Sequence, residues 1–150
     1  MGKTEEEEIR KTLETFLDGL RTLDYDKISE TFYREGLSVG VSRDQSQISH
    51  VLRHHWKEMG ERERAKGEDF SNATVHWKIR SLNIIGNSAS VIIDLAFGTR
   101  LEAGEKITER YIDFYHMLKT HDKWVIVNKI YPTNIDVKRK QEMDEWPIIP

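Results

Sequence analysis

Residues 107–131 read ITERYIDFYHMLKTHDKWVIVNKIY, and this stretch decides the fold. Apolar residues recur on both sides of His121 and Asp122, which predicts two antiparallel strands joined by a tight turn. A turn of this kind fixes which residues lie opposite each other. The predicted cross-strand pairs are Asp113 with Ile130, Tyr115 with Asn128, and Met117 with Ile126.

Asp113 is the residue of this hairpin that most needs an explanation. It stands in a row of large apolar side chains, where an unpaired carboxylate is costly to bury. It therefore needs either a partner or a chemical task. The alternation of side chains places His116 and Lys129 on the opposite face of the predicted hairpin. For His116 we expect a place in the core or in an interface.

The composition excludes several classes of protein. The chain has 150 residues, a length typical of one domain, and it contains no cysteine, which excludes disulfides and thiolate catalysis. Its net charge is −3 with 33% charged residues of both signs, so no basic footprint for nucleic acid is evident. No apolar run approaches the about 18 residues that span a bilayer. We expect a cytoplasmic protein with neither nucleic-acid nor membrane partners.

The apolar spacing changes from helical to strand-like near Ala73. Before this point the pattern predicts a helix over about 5–23, a short helix after Asp24, a short strand over 37–41 and a helix over about 46–66. After it, turn signals separate four predicted strands, at about 74–85, 88–100, 106–119 and 123–131. Helices followed by an antiparallel meander predict an α+β domain over 1–131, with a tail over 132–150.

The order of these elements resembles the nuclear transport factor two-like superfamily, and within it the SnoaL-like and lumazine-binding groups. The specific match is TERYIDFYHMLKTHDKWVIVNKIY at the end of the meander, and FLDGLRTLDYDKISETFY is a weaker match near the start. The resemblance implies a cone-shaped, cystatin-like fold. Three amino-terminal helices would pack on a curved, mostly antiparallel sheet, with a pocket at the wide end.

The resemblance also implies candidate catalytic residues. If Leu101 pairs with Lys106, Asp94 lies opposite Asp113, and two facing carboxylates would share a proton near neutral pH. Ketosteroid isomerase-like members of the superfamily use such an arrangement, with Asp113 as base and Asp94 or Tyr115 as donor. The alternative is that Asp113 binds Tyr115, Asn128 or a helix terminus and orders the core.

A second group of residues is predicted to line the pocket. These candidate ligand-binding residues are Trp56, His55, Trp77, Tyr111 and Asn128. On the predicted third helix, His50 and His54 have the i, i+4 spacing of metal ligands, but no third ligand is evident. We therefore predict a solvated helix face there, with no metal and no cofactor.

The sequence thus predicts a small-molecule-binding domain of the SnoaL-like type, with an internal pocket for a hydrophobic or aromatic ligand. The first alternative is a cofactor-independent acid–base enzyme, such as an isomerase, cyclase or dehydratase, that uses Asp113. The second is a homodimerisation module without a ligand. Because the last two strands are apolar on both faces, we expect a homodimer through the open face of the sheet.

Overall fold

The computed structural model describes residues 4–41 and 46–131, and the predicted tail over 132–150 lies outside this range. The helices are α1 (Glu5–Thr22), α2 (Tyr25–Thr31) and α3 (Arg53–Ala65). The strands are β1 (Phe32–Val41), β2 (Ile48–Val51), β3 (Ala73–Ile85), β4 (Ser88–Leu101), β5 (Gly104–Thr120) and β6 (Lys123–Tyr131). No helix among the described residues is long and apolar enough to cross a membrane.

The first helix forms where the sequence predicts it. Thr4 and Glu7 close a reciprocal capping box, and four glutamates occupy the positive end of the helix dipole. The helix ends at Leu23, which adopts a left-handed conformation with a φ of 51°. Asp24 then accepts hydrogen bonds from two backbone amides and starts α2. The chain therefore turns sharply between the two helices.

The six strands form one sheet in the order β2-β1-β6-β5-β4-β3, in which only the β1–β6 pair is parallel. We call the face that packs against the helices the inner face and the opposite one the outer face. An aromatic cluster lies at the centre of the core, with Phe16 of α1 within 5.5–6.0 Å of the rings of Phe32, Trp56 and Tyr115. The predicted α+β class with helices on a mostly antiparallel sheet is confirmed.

Two predicted boundaries are wrong. The first strand begins at Phe32 rather than at residue 37, because α2 ends at Thr31 and Phe32 already pairs with Ile126. The predicted third helix over 46–66 divides into strand β2 and helix α3. Leu52 between them is extended, and only from Arg53 onward is the backbone helical. The apolar residues at 48, 51 and 52 have a helical spacing that the backbone does not follow.

Two registers also differ from the prediction. In the β4–β5 hairpin, Leu101 pairs with Gly104 instead of Lys106, so the loop contains only two residues. In the β5–β6 hairpin, the predicted Met117–Ile126 pair is present, but Val127 has no partner. This β-bulge pairs Tyr115 with Lys129 and His116 with Asn128, one residue away from the predicted pairs.

The turn between β5 and β6 contains the expected two residues, and it carries local strain. His121 has a φ of 54°, whereas Asp122 is not among the residues of positive φ. A positive φ at the first turn residue is the pattern of a type II′ turn, which strongly favours glycine.

We predict that His121→Gly raises the free energy of unfolding by about 1 kcal/mol, because glycine adopts this conformation without a Cβ clash. Urea denaturation followed by circular dichroism measures the change. Asp122→Gly is the matched control and should bring no gain, since Asp122 has no positive φ. Equal effects of the two substitutions would contradict the proposed strain.

Candidate functional site

Asp113 and Tyr115 lie side by side on the inner face of β5, and both are completely buried. The Tyr115 hydroxyl donates a hydrogen bond to Asp113 Oδ2 at 3.0 Å. Burial, the charge of Asp113 and this hydrogen bond together raise the pKa of Tyr115 well above its usual value of 10. Tyr115 therefore keeps its proton at physiological pH and acts as the donor in this contact.

Lys129 supplies the cation that the buried carboxylate needs. Its Nζ lies 3.4 Å from Asp113 Oδ2, and the lysine is only 7% exposed. The same ammonium group lies 4.8 Å from the centre of the Tyr131 ring, a favourable cation–π distance. The bulge at Val127 brings Lys129 to the inner face. Sequence reasoning placed Lys129 on the opposite face, because regular alternation contains no signal for a bulge.

One oxygen of Asp113 has no hydrogen-bond partner. Oδ1 is buried, and no described residue donates to it. Leaving a buried acceptor unsatisfied costs about 1–3 kcal/mol, so such an atom in a folded protein calls for an explanation. The inner face therefore holds a buried carboxylate with one unsatisfied oxygen.

The predicted pairing of Asp94 with Asp113 is wrong. Asp94 pairs with Ile112, and Asp113 pairs with Ile93, so the two carboxylates lie on opposite faces of the sheet. A slip of one residue in a strand turns every side chain to the other face. Asp94 is 1% exposed and accepts hydrogen bonds from Arg80 at 2.7 and 3.1 Å. A shared-proton dyad of these two aspartates is therefore excluded.

The five predicted ligand-binding residues do not converge on one pocket. Trp56 packs in the aromatic core, 5.1 Å from Phe32, and Asn128 lies on the outer face beside His116. His55 accepts a hydrogen bond from the Leu52 amide through Nδ1 at 2.9 Å and thereby caps α3. The Tyr111 hydroxyl donates to Glu109 at 2.8 Å.

The fifth residue, Trp77, lines a cavity of about 890 Å³ between α1 and β3, which we call the α1–β3 cavity. The cavity follows α1 from Arg10 to Arg21 and β3 from Ala73 to Ile79. Its lining residues are Arg10, Lys11, Glu14, Thr15, Asp18, Arg21, Lys27, Ser71, the seven residues from Ala73 to Ile79, and Arg100. Asp113 is not among these residues, although Trp77 and Ile79 lie on the same face of the sheet.

The histidine pair considered as a metal site does not share a helix. His50 lies in β2 opposite Val39, whereas His54 lies in the first turn of α3. Over 4–41 and 46–131, no group of three histidine, aspartate or glutamate side chains has the arrangement of a metal site.

The sequence of the chain matches one known protein family. Residues 4–132 match the sequence profile of a family described as "Putative lumazine-binding". Among curated proteins, none shows significant similarity to this chain.

Several solved structures share the fold at low sequence identity. An NTF-2 like protein of unknown function from Silicibacter pomeroyi is 21% identical, with 86% of this chain and 98% of that chain covered and a TM-score of 0.65. A domain of unknown function with a cystatin-like fold from Nostoc punctiforme is 10% identical, with 97% and 86% covered and a TM-score of 0.67. A ketosteroid isomerase-like protein from Erwinia carotovora is 14% identical, with 87% and 97% covered and a TM-score of 0.59.

We predict that Lys129→Met lowers the free energy of unfolding by about 3–5 kcal/mol, because it leaves the charge of Asp113 buried without a cation. Adding Asp113→Asn should recover part of this loss, since the charge is then removed as well. Urea denaturation of both single variants and the double variant measures the coupling.

Lys119→Met is the control for this cycle. Lys119 also binds carboxylates, those of Glu5 and Glu8, but its side chain is 21% exposed and its partners are more exposed still. Its loss should be smaller, and no recovery should follow from Asp113→Asn. Equal losses for the two lysines would contradict the importance that we assign to the buried pair.

Proposed function

Because the chain belongs to the family described as "Putative lumazine-binding", within the nuclear transport factor two-like superfamily, we propose that it is a small-molecule-binding domain. The observation that carries this proposal is the α1–β3 cavity. Its volume of about 890 Å³ lies within the range of about 300–1,000 Å³ that is typical of ligand pockets. The ligand would lie between the helix and the edge of the sheet.

The walls of the cavity favour a flat ligand. Val75, Trp77 and Ile79 of β3 are partly buried and pack against the core, so they offer a fixed apolar surface. Lys11, Glu14 and Thr15 of α1 lie on the other side and offer polar groups. A heterocycle would stack on the Trp77 ring and direct its polar atoms towards α1.

An acid–base enzyme is the second candidate. The unpartnered Oδ1 of Asp113 beside the Tyr115 donor favours it. However, Asp113 is separated from the cavity wall by β4, since Asp113 pairs with Ile93 and Ile93 pairs with Ile79. Two strand spacings amount to about 10 Å. Catalysis would therefore require a movement that opens the core. Turnover of a polycyclic ketone that Asp113→Asn abolishes would favour this candidate.

The outer face supports a proposal for the assembly, a homodimer of this chain. Phe114, Leu118 and Ile130 are 39–42% exposed there, and they form an apolar patch on the two strands of the last hairpin. Exposed patches of large apolar side chains mark interaction surfaces. The face of a sheet that helices do not cover can meet the same face of a second copy.

We predict that lumazine, a flat bicyclic heterocycle, binds the chain and that Trp77→Leu weakens binding about tenfold. The loss of ring stacking would account for this change, which corresponds to about 1.4 kcal/mol. Isothermal titration calorimetry measures the affinity. Tyr33→Leu is the matched control, because it removes an exposed aromatic ring outside the cavity. Equal affinities of the two variants would argue against this cavity as the site.

We predict that the wild-type chain sediments at twice its mass of 17.7 kDa at micromolar concentration, and that Leu118→Lys converts it to a monomer. A charged residue in the patch would place an unpaired ammonium group in the interface. Ile85→Lys is the control, since Ile85 is 71% exposed at the end of β3 and outside the patch. A monomeric wild-type chain would rule the dimer out.

A further inference from the structure

The charge of the α1–β3 cavity differs in sign from that of the whole chain. Its lining contains six basic and two acidic residues, whereas the chain has a net charge of −3. Glu6 and Glu105 lie outside the lining and pair with Arg10 and His76. When these two acids are counted as well, the balance is six basic against four acidic groups. The cavity therefore keeps an excess of positive charge.

The two acidic residues of the lining, Asp18 and Glu14, differ in how far nearby cations balance their charge. Asp18 binds both Arg21, at 2.7 Å, and Lys27, so its charge is already balanced by the cavity's own cations. Its pKa is lowered: burial raises it, but the hydrogen bonds from Lys27 and Arg21 outweigh that effect. Asp18 consequently stays ionised and holds these two cations in place. Glu14 is exposed and lines the cavity three residues after Lys11, on the same face of α1.

The basic groups lie towards both ends of the cavity. Arg10 and Lys11 lie on the first half of α1, and Arg21 lies near its end, about 16 Å further along the helix. Arg21 also donates to the Ala73 carbonyl at 2.9 Å, which places the start of β3 at that end. Arg100 lines the cavity and donates through its backbone amide to Asn72. Trp77 lies between the two ends along β3.

We propose that the α1–β3 cavity selects ligands that carry an acidic group, a carboxylate or a phosphate, on a flat apolar body. This inference rests on the cavity being the binding site, as proposed above. The flat part stacks on Trp77, and the acidic group contacts the cations at one of the two ends, with Lys11 exposed at one end and Arg100 exposed at the other. Positive groups in a partly enclosed cleft raise the local concentration of anions, and salt screens this effect.

Two matched pairs of probes test the proposal. Riboflavin and riboflavin 5′-phosphate share one ring system and differ by a phosphate, whereas lumazine and 6-carboxylumazine differ by a carboxylate. We expect the acidic member of at least one pair to bind about tenfold more tightly at low salt, and the advantage to shrink as sodium chloride is raised. The pair with the larger advantage identifies the acidic group.

The double variant Lys11→Gln/Arg100→Gln tests the residues. Both side chains are exposed, so the fold should persist, and a thermal melt checks this. We expect the ratio of the affinities for the acidic and the neutral probe to fall to about one in this variant, whatever the change in the affinity for the neutral probe. Arg34→Gln/Lys106→Gln removes the same charge from exposed positions outside the cavity and should bind like the wild type.

The outcomes separate this inference from the proposed function. Equal affinities within both pairs, or an unchanged advantage in Lys11→Gln/Arg100→Gln, overturn the selection of acidic ligands and leave small-molecule binding intact. Binding of lumazine together with no binding of any acidic probe also overturns it. The loss of lumazine affinity in Trp77→Leu tests a separate point, namely whether the α1–β3 cavity is the binding site.

Discussion

A buried carboxylate must find a cation, and this constraint determines how the sheet is built. Asp113 on the inner face and Asp94 on the outer face are almost fully excluded from solvent. In both cases a β-bulge in another strand delivers the partner. The bulge at Val127 brings Lys129 to Asp113, and Arg80, which has no partner in β4, reaches Asp94 with two hydrogen-bonding nitrogens. Without the bulges, the carboxylates would lose these two cations, and removing one partner of a buried ion pair costs about 3–5 kcal/mol.

The bulges also mark the limit of what the sequence could predict. The apolar spacing of α1, the order of the elements apart from β2, and the position of the last turn follow from local patterns, and they are correct. The register depends on single residues, Val127 and Thr108, that look like ordinary members of an alternating strand. A sequence pattern with a period of two has no signal for an inserted residue. The pairing of Asp94 with Asp113 failed because the turn pairs Leu101 with Gly104 and because Thr108 is inserted in β5, and Lys129 was assigned to the wrong face because of the bulge at Val127.

The candidate site was predictable only in part, for a different reason. Trp77 could be chosen because it is a large aromatic residue on a half-buried strand. The cationic lining of its cavity could not be predicted from the composition, because the net charge of −3 is a sum over the whole chain and does not show where the charges lie. Arg10 and Arg21 are eleven residues apart on one helix, and Arg100 lies far away in the chain. Only the packing of α1 along the edge strand β3 collects them around one space.

Asp113 and the α1–β3 cavity lie apart in the fold. This separation favours a ligand-binding role over a catalytic one. Asp113 Oδ2 already contacts the Lys129 ammonium group and the Tyr115 hydroxyl. The carboxylate has no open path to the cavity, because Ile93 of β4 lies between them. The α1–β3 cavity, by contrast, is partly open and lined by exposed charges that cost little to reorganise. A ligand can enter it without breaking the core, whereas a substrate of Asp113 would have to displace the residues that hold the sheet to the helices.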